Sequence, residues 1–238
     1  MAKRFQHPKL GIVEYTFRSN ARRYIFRWCD GILHFTIPSY ATPEQAMESI
    51  NNMADELLAN KPVPTCLYHI GQTLQFDLFS VNIVADNHLG SRLVATYSNG
   101  QPIICVGTSV NLESTEAQKS VSKLIVHIAR RYANDYFPKR LAEIAQTLGL
   151  TYKSLEITSG KKTLGRCNIK GEICLTCRLA TYPLSLIDYV ICHELSHLTE
   201  MNHSPLFHRL CDSYCRKILN RPESEMERTL KAFKPSLL

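Results

Sequence analysis

The stretch from Ile187 to Phe207 reads IDYVICHELSHLTEMNHSPLF and contains the pattern H-E-x-x-H. On a helix, His193 and His197 are one turn apart and project from the same face, where two imidazoles can bind one metal ion. Glu194 lies between them, and sites of this pattern use that residue as general base on a metal-bound water. The stretch therefore predicts a helix that carries a catalytic metal centre.

The predicted helix covers Ser185 to Met201, a run without glycine or proline, and Pro183 precedes it at a favourable helix entry. Its apolar residues lie nearly all round the helix, which predicts that it is buried. Buried histidines and a buried glutamate need partners, because an unpaired polar group in a protein interior is costly. A metal ion supplies those partners.

The third metal ligand depends on where this helix ends. On a continuous helix, Glu200 lies two turns beyond the first histidine and is too far along the axis. His203 reaches the site if the helix ends near Met201 with Asn202 in the left-handed conformation, and if Ser204-Pro205 begins the next helix. We expect His203 to be the third ligand, with Glu200 as the alternative.

Three neutral imidazoles with an open fourth position are typical of a catalytic zinc, so we expect one Zn²⁺ per chain. Cys174 and Cys177 form a C-x-x-C, but residues three apart in a strand face opposite sides and cannot share a metal. We interpret these cysteines as buried thiols.

Composition indicates an enzyme of the cell interior. The chain has 238 residues, of which 45% are hydrophobic, so it can bury a full core. No uncharged apolar stretch approaches a membrane span, and the N-terminus lacks the apolar region of a secretory signal. Nine cysteines, an odd number, favour reduced thiols. We therefore expect a cytoplasmic protein without a membrane partner.

The pattern along the chain predicts an α+β fold with a strand-rich N-terminal lobe, residues 1–110, and a mostly helical lobe, residues 111–238, as two domains or one continuous domain. Thr42-Pro43-Glu44-Gln45 is a capping box that opens a helix to about Ala59. The strands of the first lobe are expected at 12–17, 24–28 and 32–37, with a turn at Asp30-Gly31, and again between 73 and 107.

In the second lobe, one amphipathic helix is expected from Thr115 to about Tyr136 and another from Pro138 to Gly149. Two strands, Tyr152 to Ile157 and Glu172 to Leu179, are expected before the metal helix.

Tyr182 to Phe207, with I-D-Y-V before the metal motif and M-N-H-S after it, resembles the YgjP-like family of zincin metallopeptidases, whose metal motif is similar to those of the WLM and SprT groups. The resemblance covers most of the chain and implies a zincin-like fold, His193, His197 and His203 as zinc ligands, and Glu194 as catalytic base. The family reads Arg-Trp-Gly-Ser-Cys before the metal helix, where residues 163–167 here read Thr-Leu-Gly-Arg-Cys. Gly165 and Cys167 match the family, whereas Leu164 replaces the tryptophan and Arg166 the serine.

The most direct function for such a site is hydrolysis of peptides or unfolded protein segments by a zinc-activated water. Two alternatives use the same centre: a nucleotide phosphoanhydride hydrolase and a DNA-associated protease. Both draw on basic residues near the N-terminus, which could meet the phosphates of a nucleotide or nucleic acid, although no DNA-binding module is recognisable. These residues are Lys3, Arg4, Lys9, Arg18, Arg22, Arg23 and Arg27.

Substrate contacts are less defined by the sequence. If the strand Glu172 to Leu179 is an exposed edge, an extended peptide can add to it, which makes Cys174, Leu175, Thr176 and the preceding Arg166 candidate binding residues. Candidates for stabilising the oxyanion beside the metal are Tyr189, Tyr214, His208 and Arg166.

Overall fold

The computed structural model describes residues 3–29, 32–61, 67–235 and 237. It is a mixed α+β structure with three β-sheets and five α-helices in the described ranges. The chain divides into two compact units, Met1–Thr65 and Cys66–Leu238. The boundary expected at residue 110 falls inside the second unit.

The first unit is a four-stranded sheet covered on one face by a helix. Its strands are β1 (Lys3–His7), β2 (Gly11–Arg18), β3 (Ile25–Cys29) and β4 (Ile32–Pro38), in the order β1-β2-β4-β3, with β2 and β4 parallel. Alternate residues of β4 are buried, as the twofold period of a strand requires: Leu33, Phe35 and Ile37. The turn expected at Asp30-Gly31 lies outside the described residues.

The helix of this unit, α1 (Pro43–Ala59), confirms its predicted capping box. The Thr42 side chain accepts a hydrogen bond from the Gln45 backbone N–H, and the Gln45 side chain accepts one from the Thr42 N–H. Both bonds satisfy amide groups that a helix start leaves without partners. Its buried face, which includes Ile50 and Ala54, packs in one core with the inner residues of β4.

The second unit begins with another four-stranded sheet, β5 (Thr73–Gln75), β6 (Ser80–Asp86), β7 (Leu93–Ser98) and β8 (Gln101–Gly107), in the order β5-β6-β8-β7. Asn99 and Gly100 both have positive φ angles, 50° and 79°, and form the two-residue turn that joins β7 to β8. Val81 and Ile104 share one core with residues of the long helix that follows. This packing explains why the sheet belongs with the helical part of the chain.

That helix, α2 (Thr115–Leu148), is continuous, so the predicted restart at Pro138 is wrong. Proline removes the N–H that would bond the carbonyl of Asn134 four residues earlier. Asn134 and Pro138 are both exposed, so water can satisfy that carbonyl. The end of α2 is as expected, because Gly149 has a φ of 70° and caps the helix in the left-handed conformation.

The rest of the unit builds the surroundings of the predicted metal helix. A three-stranded sheet has the order β10-β11-β9, formed by β9 (Ser154–Thr158), β10 (Gly165–Cys167) and β11 (Glu172–Thr176). Four helices follow this sheet: a short 3₁₀ helix (Cys177–Thr181), α3 (Leu184–Ser196), α4 (Pro205–Leu219) and α5 (Glu223–Ala232). None of the helices in the described ranges has the length and apolar character of a membrane span.

One ion pair ties α2 to α3. Arg140 donates from Nε to Asp188 Oδ1 at 2.8 Å and from Nη2 to Asp188 Oδ2 at 2.7 Å. This two-bond geometry fixes orientation as well as distance, and Asp188 is almost fully buried. The pair therefore holds α3 in a defined position on α2.

Candidate metal centre

The helix that carries H-E-x-x-H ends earlier than the sequence predicts. α3 ends at Ser196, which is five residues before Met201, and His197 is its C-cap. Ser196 Oγ donates to the Cys192 carbonyl, and His197 Nδ1 lies 3.1 Å from the Glu200 carbonyl oxygen. Such local side-chain bonds offer the backbone an alternative to further helix.

The predicted left-handed helix stop at Asn202 is also wrong. The non-glycine residues with positive φ in the described ranges are Asn99 and Asn220. The chain instead turns between His197 and Ser204 without a left-handed residue, and this turn brings His203 back towards the helix.

The start of the next helix is as predicted. Ser204 is the N-cap of α4, its Oγ accepts from the Phe207 N–H at 3.3 Å, and Pro205 occupies the first turn. This cap fixes the residue immediately before it, His203. The side chain of Phe207, which is 0% exposed, lies against all three histidines, with ring centroids 4.9, 4.6 and 4.7 Å from those of His193, His197 and His203.

His193, His197 and His203 converge as one group in which the potential ligand nitrogens all lie within 4.8 Å of one another. The Nε2 atoms of His193 and His203 are 3.1 Å apart. Two nitrogens on one tetrahedral zinc are separated by about 3.3 Å, given zinc–nitrogen bonds of about 2.0–2.1 Å. The spacing therefore fits a shared metal ion.

Protonation also favours metal binding. Burial lowers the pKa of His193 to about 4, and the neighbouring His197, His203 and His208 add to this effect. Burial likewise lowers the pKa of His197. Neutral imidazole is the form that binds metal. If His197 donates from Nδ1 to the Glu200 carbonyl, its Nε2 is left as the ligand atom. Glu200, the alternative ligand, thus meets His197 through its backbone.

Glu194 lies beside this group with an unusual environment. Its side chain is 4% exposed, and its Oε2 is buried without a hydrogen-bond partner in the part of the chain that the structure describes. Burial raises the pKa of Glu194 to about 8. A nearby cation would favour its ionised form. An unpaired buried carboxylate oxygen is costly unless water or a ligand completes the site.

The space for Glu194 is created by Gly165 of β10. A Cβ at position 165 would lie 2.7 Å from Cγ and 2.8 Å from Cδ of Glu194, closer than real contacts allow, and would also collide with Oε1. Cys167, two residues later, is also near this carboxylate, since burial and then the charge of Glu194 raise the pKa of the Cys167 thiol to about 11. The G-x-C segment of β10 therefore lines the centre.

The strand predicted at Glu172 to Leu179 is not the exposed edge that peptide binding there would require. β11 is the central strand of its sheet, paired with β10 on one side and β9 on the other, and Cys177 already belongs to the 3₁₀ helix. The candidate binding residues Cys174, Leu175 and Thr176 are buried, so the structure does not bring them to a substrate surface. The short apolar run of this segment did not distinguish an edge strand from a central one, because a strand covered on both faces also has an apolar sequence.

The remaining candidates for substrate or oxyanion contact have other partners or little exposure. Arg166 lies 3.6 Å from Glu156 in an ion pair, and Tyr189 is 4% exposed in the core. Tyr214 is partly buried and packs against the same core. His208 Nδ1 is 2.9 Å from Glu223 Oε1, and its ring centroid lies 6.4 Å from that of His203.

Three residues near the centre were missed by sequence reasoning. Phe207 gave no signal beyond an apolar position in a helix, and Glu223 looked like an ordinary acidic residue in a first helical turn. Gly165 was noted only as a match to the family pattern. Its contact with Glu194 joins residues 29 positions apart in sequence (194 − 165), and no local pattern encodes such a contact.

Comparisons with known proteins identify the family of the chain. The model of the YgjP-like metallopeptidase domain matches residues 83–228, more than half of the chain. A solved structure, the metallopeptidase zymogen abylysin of Pyrococcus abyssi, is 21% identical, covers 42% of this chain and 98% of its own, and has a TM-score of 0.34. No curated protein matches. The chain therefore belongs to the YgjP-like family, and membership makes it a metal-dependent peptidase.

Proposed function

We propose that the protein is a zinc-dependent metallopeptidase with one zinc ion per chain, His193, His197 and His203 as its ligands and Glu194 as general base. The observation that carries the proposal is the convergence of three imidazole nitrogens beside a buried carboxylate oxygen that has no partner among the described residues. Imidazole suits zinc, and three protein ligands with an open position are typical of catalytic sites. When bound, the metal would polarise the substrate carbonyl and make a water molecule more acidic.

Glu194 holds and moves the proton in this proposal. Its free Oε2 can accept a proton from the attacking water and pass it to the nitrogen of the leaving amine. The low exposure of the side chain keeps bulk water from competing for that oxygen, and the contact with Gly165 limits its movement. A carboxylate that cannot swing away is well placed for repeated proton transfer.

We further propose a zincin-like arrangement in which β10 binds the substrate backbone. The hydrogen bonds from the Thr176 N–H to the Leu164 carbonyl and from the Asn168 N–H to the Glu172 carbonyl set the alternation of this antiparallel pair. By that alternation Arg166 bonds to β11, whereas the N–H and C=O groups of Gly165 and Cys167 face away from it. An extended peptide can pair with this edge next to Glu194.

The two alternatives require other features. A nucleotide phosphoanhydride hydrolase needs cations that converge on the centre, but the cation of β10, Arg166, is paired with Glu156. A DNA-associated protease would use the basic residues of the first compact unit, which lies outside the region matched by the family model. Eight cysteines in the described ranges are free thiols, which supports a cytoplasmic, reducing location.

The proposal is tested by comparing wild type with Glu194→Gln on casein-like peptides and on nucleoside triphosphates. We expect wild type to bind about one zinc and to cleave the peptides. Glu194→Gln should keep its zinc and its melting temperature but lose roughly a hundredfold or more in turnover. Metal-loaded Glu194→Gln with normal turnover, or hydrolysis of triphosphates alone, would contradict the proposal.

A further inference from the structure

Glu223 is a buried carboxylate that the proposed mechanism does not use. It is the first residue of α5 and is 8% exposed. Its carboxylate bonds to His208, with Nδ1 at 2.9 Å from Oε1 and 3.2 Å from Oε2. The backbone N–H of Glu223 donates to Asp212 Oδ1 at 2.9 Å, which anchors the start of α5 on α4.

The same carboxylate lies close to the first histidine of α3. A ring nitrogen of His193, the thiol of Cys211 and a carboxylate oxygen of Glu223 all lie within 4.8 Å of one another. His193 Nε2 belongs to the three-histidine group, since it is 3.1 Å from His203 Nε2. Glu223 therefore lies between a proposed zinc ligand and the half-exposed His208.

A second metal site does not explain this cluster. It would use His193, which already belongs to the first group. The cluster is better understood as part of the surroundings of the three-histidine centre.

The charge of Glu223 has partners in the protein. Burying a carboxylate costs several kcal/mol unless charges and hydrogen bonds compensate. His208 contacts both carboxylate oxygens, and the position of Glu223 in the first turn of α5 also favours a negative charge. Packing does not require the charge, because Met226, one turn later, holds α5 against the core with an apolar side chain. A divalent ion at His193 would add a further favourable interaction with this charge.

We propose that Glu223 is a positioning residue of the metal centre, acting through His193, and that its negative charge strengthens binding of the divalent ion. The inference rests on the proposed zinc site and adds to it a residue from α5. A carboxylate that accepts from the other ring nitrogen of a ligating histidine orients the ring and raises its basicity, and losing such a carboxylate weakens metal affinity about 10–100-fold. Glu223 lies within 4.8 Å of a ring nitrogen of His193, close enough for this role once a metal is bound.

The test measures zinc affinity by competition with a chromophoric chelator, in wild type, Glu223→Gln and Glu225→Gln. Glu225 is a matched control from the same helical turn, at 3.8 Å from Arg221 in a surface pair. We expect Glu223→Gln to bind zinc about 10–100-fold more weakly and Glu225→Gln to bind it as wild type does. The absorption spectrum of bound Co²⁺ should be the same in all three proteins, because the ligands do not change.

Several outcomes would overturn the inference. Equal zinc affinity in Glu223→Gln and wild type would exclude a role for the charge, and an altered Co²⁺ spectrum would mean that Glu223 itself coordinates the ion. If Glu223→Gln does not fold, Glu223→Asp keeps the charge and should bind zinc within about fivefold of wild type, whereas a loss as large as about 10–100-fold would overturn the proposal. Wild type that binds no zinc would instead overturn the proposed function.

Discussion

Replacing Gly165 by alanine tests whether the position of Glu194 determines activity. Neither Gly165 nor Gly160 has a left-handed φ, so alanine is compatible with the backbone at both positions. At 165, the new Cβ would lie 2.7 Å from Glu194 Cγ, whereas ordinary contacts begin at 3.4 Å. The carboxylate must therefore move by about 0.7 Å (3.4 − 2.7) or β10 must shift by the same amount. Glu194 is buried and cannot rotate into solvent.

The expected effect is on catalysis more than on folding. A displacement of about 1 Å in a catalytic group can cost about a hundredfold in rate. We therefore expect kcat/KM of Gly165→Ala to fall about 10–100-fold, which is about 1.4–2.7 kcal/mol of transition-state stabilisation. The overpacking should cost no more than about 1–3 kcal/mol of folding stability. Zinc content should be unchanged, because no proposed ligand moves.

The assay compares kcat/KM on a casein-derived peptide, zinc content and melting temperature. Gly160→Ala is the matched control, since the nearest atom to its Cβ would be Thr158 Oγ1 at 4.0 Å. It should behave as wild type. If zinc-loaded Gly165→Ala matches Gly160→Ala in kcat/KM, the contact does not position Glu194 and the reasoning fails.

Two further predictions concern metal binding and stability. His203→Ala should weaken zinc binding far more than Glu200→Ala, because Glu200 contacts His197 through its backbone carbonyl, which alanine retains. Isothermal titration with zinc measures both affinities. The reverse order would remove His203 from the ligand set. Asp188→Ala should lower the free energy of unfolding by about 2–3 kcal/mol. Breaking a fully buried ion pair costs about 3–5 kcal/mol, and the loss here is smaller because Arg140 is partly exposed. The exposed control Asp135→Ala, which breaks a surface pair with Lys139, should cost less than about 0.5 kcal/mol in urea denaturation, and equal losses would contradict the role of the α2–α3 pair.

The metal motif was predictable because its chemistry is local. Two residues four apart on a helix share a face whatever surrounds the helix, so His193 and His197 could be paired from their spacing alone. The N-cap at Ser204 and the proline after it are also local signals, and the structure has both. The structure brings His203 close to His193 and His197, although the stop predicted at Asn202 was wrong.

The wrong predictions concern places where side-chain contacts or solvent determine the backbone conformation. Pro138 interrupts a pattern but not the helix, because the carbonyl it leaves unpaired is exposed to water. Residues 172–176 of the expected edge form a central strand, because β10 pairs with one side and β9 with the other. Which strands pair with it depends on the tertiary fold, which a short apolar run does not specify.

The sequence by itself therefore determined the chemical type of the centre: a helical histidine pair, a neighbouring glutamate and a third histidine at a helix start. The tertiary structure alone decided what surrounds them. Gly165 leaves space for Glu194, Phe207 packs against the three imidazoles, and the buried Glu223 lies close to His193. These contacts join separate elements of the fold, and their energies depend on burial and distance, which local sequence periodicity does not encode.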